Sequence, residues 1–381
     1  MNRYFRAQIV PIVNKLKWIP VVDHLLRARR NKILKNEQKI IVDLLSGAEK
    51  IYTSCKKKPV IGIAHYGDDV FVNPINDNKL RYENYCIYNH FDYEMVNLSS
   101  EKWQNEISRF DVIVWAVSSN PARLDEARHK IYFIEKYCNK MCFPSFDSVF
   151  IYENKVLQYE LFRREKLQSV PTFVSYNRAE AMSYIKTCEY PLVSKIQTGS
   201  GSRGVEIIRS YGQARRFVNK VFTSGRSTYH TYLKQKDYVY FQKFIPDSQF
   251  DLRVIIIGNR VFGYYRMKPS KDFRASGAGL VVKKGIPESA MRLALKCKVI
   301  MNAIQIAVDM ITDSNNNNFM IIEASFFFGV ETAEQLHVNG LPGYYEYKND
   351  GFTFKEGRYW VQELAMDELV KLWSSSEETT N

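Results

Sequence analysis

The sequence predicts an α/β protein with α+β character toward its carboxyl end, in which a small parallel sheet precedes two β-rich lobes. Two observations support this fold class. Apolar segments alternate with helical segments up to about residue 145, whereas strands predominate beyond about residue 170. The 381 residues are 45% hydrophobic, which suffices for two or three domain cores and excludes a disordered chain. No apolar run reaches the ~18 residues of a membrane-spanning helix.

Residues 1–58 are predicted to be a basic amphipathic helical extension. They hold 14 Lys and Arg against 4 Asp and Glu, whereas the rest of the chain holds 40 against 37. Apolar residues three and four apart, with cations between them and Trp18 at one edge, are typical of helices on an anionic membrane surface. Packing against the protein's own body fits the pattern equally well. Because the charge is confined to this segment, we expect no nucleic-acid binding.

Residues 59–145 are predicted to form a Rossmann-like parallel α/β domain. Its apolar strands and intervening helices are predicted at 59–64, 93–98 and 111–117, and at 101–108 and 121–137. Strand and helix alternating at this spacing favours a parallel sheet that is covered on both faces. Gly62 and Gly67 do not make a GxGxxG fingerprint, so we expect no nicotinamide cofactor. Six cysteines without a CxxC pair indicate a reducing compartment.

The two β-rich lobes are predicted at 146–235 and 236–373. Strands are predicted at 172–174, 190–196, 205–209, 238–244, 252–257, 260–267, 307–311 and 318–323, and helices at 154–167, 211–222 and 288–301. Four consecutive asparagines, at 315–318, are expected to form a polar loop between two of these strands. The tail 374–381 is expected to be frayed.

A lysine followed by a glycine- and serine-rich loop is the most informative segment. Lys195 ends a predicted strand, and Gly199, Ser200, Gly201 and Ser202 follow before the next strand begins at Val205. The backbone N–H groups of such a loop can fold over phosphates while the lysine reaches the same oxygens. The lysine precedes the loop, so the segment is not a P-loop. An ordinary hairpin remains the alternative for this segment taken alone.

Further along the chain stand Gln242-Lys243-Phe244, Asp251-Leu252-Arg253, Asp309 and Glu323. With the loop above, these residues make the chain resemble the ATP-grasp superfamily. The resemblance extends over about residues 143–331 and is to the carboxylate–amine ligase branch, which includes ribosomal-protein glutamate ligases, glutathione synthetase and D-alanine:D-alanine ligase. It implies an ATP-grasp fold behind the parallel domain.

The resemblance implies a nucleotide site. Lys155 and Lys195 take the places of the two ATP lysines, and Gly199, Ser200, Gly201 and Ser202 form the phosphate flap. The hinge that holds adenine corresponds to Gln242, Lys243 and Phe244, with Asp247 near the ribose. Arg253, Arg266 and Arg274 are implied to line the triphosphate and the developing acyl phosphate, which the rigid fork of arginine suits.

The resemblance also implies a magnesium site, with Mn²⁺ as an alternative ion. Asp309 and Glu323 match acidic ligands, whose hard oxygens bridge the metal to the phosphates. Ser325 takes a position where the family usually has asparagine, so a hydroxyl replaces an amide oxygen. Taken singly, these residues also have simpler interpretations: Asp251 and Arg253 could form an ion pair on the strand surface, and Asp309 could cap a turn.

The implied function is an ATP-dependent ligase that joins a carboxylate to an amine through an acyl phosphate. The substrates are expected to be an amine or amino acid and a carboxylate acceptor, such as a cell-surface saccharide or a peptide. Two other classes remain open: an ATP-grasp kinase that phosphorylates a hydroxyl, and a membrane-surface binding protein without catalysis. We expect a cytoplasmic location, at the inner face of the membrane if residues 1–58 bind it. The sequence does not decide the oligomeric state.

Overall fold

The computed structural model of the chain describes residues 47–66, 78–199, 204–230, 232–246, 248, 250–268, 280–313, 318–328 and 336–380. The predicted helical extension therefore lies mostly outside the described residues. No helix in the described part of the chain is long and apolar enough to cross a membrane.

A parallel sheet with its helices forms the first part of the described fold. Its strands are β1 (Ile61–His65), β2 (Tyr93–Asn97), β3 (Val112–Trp115) and β4 (Met141–Phe143), and its helices are α1 (Lys79–Asn89), α2 (Trp103–Ile107), α3 (Pro121–Tyr137) and α4 (Phe146–Ile151). The strand order is β2-β1-β3-β4, and every pair is parallel. All four residues of β3 are buried, as expected for a strand covered on both faces. The predicted parallel sheet is confirmed.

A four-stranded antiparallel sheet forms the first β-rich lobe. The lobe contains β5 (Thr172–Ser175), β6 (Leu192–Lys195), β7 (Val205–Ile208), β8 (Arg226–Ser227), β9 (Lys234–Gln235) and β10 (Val239–Lys243), with helices α5 (Lys155–Arg164), α6 (Arg178–Thr187) and α7 (Tyr211–Val221). The strand order is β5-β10-β6-β7, while β8 and β9 form a separate hairpin. Leu192 and Phe241 pack with Ile185 of α6 and Phe217 of α7. Because side chains alternate along a strand, Val193 and Lys195 lie on the opposite face.

A large antiparallel sheet forms the second β-rich lobe. Its strands are β11 (Phe250–Ile257), β12 (Arg260–Met267), β13 (Val281–Val282), β14 (Gln305–Thr312), β15 (Phe319–Ser325), β16 (His337–Val338), β17 (Leu341–Lys348) and β18 (Gly351–Glu356), and its helices are α8 (Glu288–Ile300) and α9 (Val361–Thr380). The main strand order is β15-β14-β11-β12-β17-β16; β13 pairs with β12 and β18 pairs with β17.

The two faces of this sheet differ in chemistry, and that difference positions the site. Leu252 and Val254 of β11 share an apolar cluster with Ala290 and Ala294 of α8. Alternation along β11 turns the residues between them, such as Arg253, toward the other face. The sheet therefore has a core face against α8, and charged side chains lie on its other face around Arg253.

The carboxyl-terminal tail differs from its prediction. Residues 374–381 were expected to fray, but α9 continues to Thr380. Lys57 pairs with Glu377 at 2.7 Å and Lys56 with Glu378 at 3.0 Å, so the last turns have partners in the chain. The predicted asparagine loop lies mostly outside the described residues, although the two strands that it joins, β14 and β15, are both found.

Candidate active site

A cleft between the two β-rich sheets brings together most of the predicted site residues. It is lined by nine of them: Lys155, Lys195, Gly199, Gln242, Lys243, Phe244, Arg266, Asp309 and Glu323. They come from five strands, from the loops after β6 and β10, and from the start of α5. Ser200, Gly201, Ser202, Asp247 and Arg274 lie outside the described residues.

Lys155 is buried at the first position of α5 and joins the two sides of the cleft. Its Nζ donates to the carbonyl oxygen of Gly199 at 2.7 Å and lies 3.3 Å from Glu323 Oε2. Burial alone would lower the pKa of Lys155, but the carboxylates of Glu323 and Glu153 outweigh it and raise that pKa. Lys155 therefore holds a permanent positive charge beside the start of the predicted flap.

Lys195 is also buried, but the net shift of its pKa is in the opposite direction. Burial, together with the charge of Lys155, lowers the pKa of Lys195 to about 8, because the carboxylates of Glu323 and Asp309 only partly compensate. Across the described residues, no ion pair within 4 Å involves its Nζ. A buried ammonium of this kind favours an anion delivered from solution.

Asp309 lies between two arginines on the charged face of the large sheet. Arg253 binds it through two hydrogen bonds, of 2.7 and 2.8 Å, and the Arg266 guanidinium approaches Asp309 Oδ2 at 2.8 Å. Burial would raise the pKa of Asp309, but the two guanidinium groups hold it well below its usual range. Arg266 also pairs with Asp251. The simple Asp251–Arg253 pair considered above is therefore wrong, since both residues pair across strands instead.

The register of β14 and β15 places Asp309 opposite Glu323. The two residues are cross-strand partners, and the pairing shifts immediately afterward so that Met310 faces Ile321. This bulge makes Ile322 the extra residue. As a result, Ile321 is fully buried while Glu323 and Ile322 line the cleft. Lys155 and Lys195 lower the pKa of Glu323, against the effect of its burial.

The carboxylates of Asp309 and Glu323 suit a hard divalent cation. Two facing carboxylates supply oxygen ligands of the type that Mg²⁺ prefers. Ser325 lies two residues after Glu323 on β15, and its hydroxyl donates to the carbonyl oxygen of Phe327 at 2.7 Å. The lone pairs of that oxygen stay available to a metal. The described residues hold no group of three or more His, Cys, Asp or Glu that could bind a metal by themselves, so a site here needs Ser325, phosphate or water as well.

Part of the cleft lining is apolar. Val193, Ile245, Ile311 and Ile322 line it together with the predicted hinge residues. Gln242 is buried and its side-chain amide donates to Thr172 at 3.1 Å, whereas the Lys243 side chain turns outward to Glu189 at 3.0 Å. A flat heteroaromatic ring fits between such aliphatic side chains.

Two residues that support the site escaped sequence reasoning. Glu153 accepts from the backbone N–H of Gly199 at 2.8 Å and has φ 55°, a left-handed conformation that is rare for a non-glycine residue. Gln158 of α5 binds both backbone groups of Ala324, between Glu323 and Ser325, at 2.9 and 3.0 Å. The left-handed Glu153 left no signal in the sequence, and Gln158 is an ordinary residue of an amphipathic helix.

The aromatic residues of β17, and Phe326 just after β15, are mostly structural. Phe326 is buried, and Tyr344, Tyr345 and Tyr347 contact Phe262, Phe354 and Phe352, respectively. These rings stabilise the sheet, so they do not support a saccharide acceptor.

Comparisons with known proteins agree with this geometry. A family model described as a RimK-like ATP-grasp domain matches residues 152–339. The α-aminoadipate–LysW ligase LysX of Saccharolobus solfataricus is 27% identical over 206 residues, which are 52% of this chain and 63% of the relative. The glutamate–LysW ligase ArgX of Sulfolobus acidocaldarius is 22% identical over 61% of this chain and 79% of its own length.

One solved structure extends the likeness in fold over most of the chain. The D-alanine–D-alanine ligase of Bacillus anthracis, in complex with ATP, superimposes with a TM-score of 0.53. The match covers 85% of this chain and 100% of the other, at 12% sequence identity. The likeness therefore includes the parallel sheet as well as the two β-rich lobes.

Proposed function

Because residues 152–339 are a RimK-like ATP-grasp domain, we propose that this chain is an ATP-dependent ligase that joins a carboxylate to an amine. One observation carries the proposal: Lys155, Lys195, Asp309 and Glu323, which come from distant parts of the sequence, line a single cleft. Cations and acids meet there in the arrangement that a metal-bound polyphosphate requires.

In the proposed reaction, a substrate carboxylate attacks the γ-phosphate of ATP, which gives an acyl phosphate and ADP. An amine then attacks the activated carbonyl carbon, phosphate leaves, and an amide forms. A carboxylate is a poor electrophile, and phosphorylation supplies the leaving group that it lacks. The chain's contribution is positioning and charge neutralisation.

Each group has a role in this proposal. Lys155 and Lys195 hold phosphate oxygens, and adenine lies between the aliphatic side chains near Gln242. Arg266 faces the cleft and is proposed to meet the acyl phosphate, whereas Arg253 holds Asp309 in place. Asp309 and Glu323, with Ser325, would hold Mg²⁺, which neutralises phosphate charge when bound.

We further propose that one substrate is a free amino acid. LysX and ArgX are named as ligases of α-aminoadipate and of glutamate. The chain spans 63% of the length of LysX, so the partner that receives the amino acid is left to experiment. A peptide and a saccharide are the two acceptors to be compared.

The direct test measures ADP release from MgATP with pools of amino acids and carboxylate acceptors. Hydroxylamine in place of the amine should trap the acyl phosphate as a hydroxamate. We expect Lys195→Ala and Glu323→Gln to abolish both signals, while Lys186→Ala, an exposed change on α6 of the same lobe, leaves them intact. A phosphorylated hydroxyl product without hydroxamate would identify a kinase instead, and unaltered turnover in both site variants would refute the site.

Membrane binding by residues 1–58 is a separate part of the proposal and needs its own test. The backbone N–H groups of Glu49 and Ile51 donate to the Arg358 carbonyl and the Tyr88 hydroxyl, so a deletion should stop at residue 46. We expect deletion of 1–46 to abolish sedimentation with anionic vesicles and to preserve ADP release. Equal sedimentation of both proteins would refute membrane binding through this segment.

A further inference from the structure

A groove of about 670 Å³ runs along strand β7 and helix α7 of the first β-rich lobe. One wall is the whole of β7 together with Arg209, and the other is one side of α7 from Gln213 to Lys220. Apart from Val205, none of the residues that line it also lines the cleft of the candidate active site. The groove is therefore a second concave surface of the same lobe, and the proposed ligase reaction does not use it.

The wall formed by β7 is the open edge of a sheet. The strand order β5-β10-β6-β7 puts β7 at the end of the sheet, and within the described residues it pairs with β6 alone. In an antiparallel pair, every second residue of a strand turns its N–H and carbonyl groups away from its partner. Along β7 these groups face outward, and such an edge is a template with which another extended chain can pair.

The charged side chains of the groove are mostly basic. Four cations line it against one acid, Glu206. Glu206 pairs with Arg226, whose guanidinium also lies 5.1 Å from the centre of the Phe217 ring. The other three cations are exposed, and no carboxylate in the described part of the chain lies within 4 Å of their charged groups; they are Arg209, Arg216 and Lys220. The groove therefore carries positive charge that favours an acidic occupant.

We propose that this groove binds an extended acidic segment of a partner protein, which adds to the sheet as a new strand beside β7. The main chain of the segment pairs with the open edge of β7, and its carboxylates face Arg216 and Lys220 on α7. These two cations are one helical turn apart, about 6 Å along the helix axis. Alternate residues of a strand are about 7 Å apart. Acids at every second position of the segment therefore match the spacing of the cations.

The alternation along β7 defines what the rest of the segment should be. Ile208 points toward α7, because it packs in one cluster with Phe217, and Glu206 lies on the same side of the strand. Val205 and Ile207 point the other way and are only half-buried. A strand that is added to β7 brings its own alternate residues beside them. The residues between the acids are therefore expected to be apolar and β-branched.

A peptide suits this surface better than other polyanions do. The edge of a strand offers N–H donors and carbonyl acceptors in turn, whereas phosphate groups supply acceptors only and would leave the outward carbonyl groups of β7 unpaired. A second copy of the groove would bring like charges together. Residues 1–58 of the chain are themselves basic, with 14 Lys and Arg against 4 Asp and Glu. The charge of the groove therefore selects a separate, acidic partner.

Fluorescence anisotropy with the full-length chain tests the proposal. The probe is a short labelled peptide in which Glu and Val alternate, and a peptide of the same composition with its Glu and Val in two blocks is the control. We expect saturable binding of the alternating peptide and much weaker binding of the block peptide. Arg216→Glu and Lys220→Glu should each raise the dissociation constant about tenfold or more, because each places an acid against an acid. Arg215→Glu is the matched control at an exposed position of α7 outside the groove, and it should change the dissociation constant little.

Strand addition also requires main-chain hydrogen bonds from one set of alternate residues. Two further peptides carry N-methyl groups, one on every Glu and the other on every Val, and each modification removes half of the N–H donors. Only one of these two sets can face β7. We therefore expect one of the methylated peptides to lose binding and the other to keep it.

Each outcome decides the question. Absence of saturable binding by the alternating peptide would overturn the proposal, and so would a loss of affinity in Arg215→Glu as large as in the two groove variants. Equal effects of the two methylated sets, in either direction, would refute strand addition. All three substitutions are at exposed positions, so equal thermal unfolding of the variants serves as the folding control. Because neither ATP nor ADP release enters the measurement, failure here is distinguishable from failure of the proposed ligase activity.

Discussion

At the residue scale, most charged groups that the structure describes in the candidate site have a partner of opposite charge. Arg253, Arg266 and Lys155 face the carboxylates of Asp309 and Glu323, so these cations are neutralised before any ligand arrives. Lys195 is different, because burial lowers its pKa to about 8. A site that binds polyphosphate needs one such uncompensated cation, and it is held at a cost in stability.

Replacing Lys195 should therefore stabilise the protein while it destroys the function. The lowered pKa means that burying the ammonium is unfavourable at neutral pH, by on the order of 1–3 kcal/mol. Lys195→Met keeps the aliphatic length without the charge. We expect a higher midpoint of urea unfolding at pH 7 together with loss of ATP binding, measured by calorimetry. An unfolding midpoint at or below that of the unaltered protein would contradict this reasoning.

The same group predicts a pH dependence for nucleotide affinity. Below about pH 8 Lys195 is charged and can bind phosphate, and above it the free enzyme loses that charge. We expect kcat/KM for ATP to fall as the pH rises through about 8. In Lys195→Arg the guanidinium does not titrate in this range, so the fall should disappear even if the activity is lower. Stability moves the other way and increases above about pH 8, because the unfolded chain still binds the proton there.

Ser325 allows a test of the metal site that does not remove a carboxylate. Its hydroxyl lies two residues after Glu323 on β15 and is a weaker ligand than an amide oxygen. We expect Ser325→Asn to lower the Mg²⁺ concentration for half-maximal ADP release and Ser325→Ala to raise it, each by a few-fold. If both variants titrate with Mg²⁺ as the unaltered protein does, Ser325 is not a ligand.

At the element scale, β14 and β15 show what the sequence can and cannot predict. Asp309 and Glu323 could be predicted from the sequence because each ends or interrupts an otherwise apolar strand, and a carboxylate in that position needs a partner. The bulge at Ile322 could not be found, since nothing in Met320-Ile321-Ile322-Glu323 distinguishes the core residue from the cleft residue. Likewise, Arg253 was assigned to the triphosphate from its position in a motif, but the structure pairs it with Asp309, a contact that depends on cross-strand register.

Gln158 of α5 should be essential for stability and for the metal site, although no motif includes it. Its buried amide satisfies both backbone groups of Ala324, so Gln158→Leu leaves an N–H and a carbonyl unpaired in the interior. Each such group costs about 1–3 kcal/mol. We expect a clearly lower midpoint of urea unfolding. We also expect a higher Mg²⁺ concentration for half-maximal ADP release, because Glu323 and Ser325 flank Ala324, whose backbone loses its partners. Gln104→Leu on the exposed face of α2 is the matched control and should change neither quantity.

At the scale of the whole molecule, α9 connects the large sheet to the parallel domain. Asp367 of α9 accepts from Arg260 of β12 and from Thr53, both at 2.8 Å, and Glu363 accepts from Asn84 of α1 at 2.9 Å. Residues near 53 thus lie between the first domain and the last helix, which composition alone did not suggest.

Two truncations of α9 separate its buried part from its exposed end. Leu364 and Leu369 are fully buried and Trp373 nearly so, and each such side chain contributes about 1.5–3 kcal/mol. Deletion of 361–381 removes all three and leaves Arg260 without its two carboxylate partners, so we expect an insoluble or unfolded chain. Deletion of 375–381 removes exposed contacts such as Lys57–Glu377, and exposed ion pairs contribute little. The shorter deletion should therefore unfold at the same temperature as the full chain in a thermal melt and keep its ADP release. Unfolding of that variant at a clearly lower temperature would mean that the last turns of α9 are structural after all.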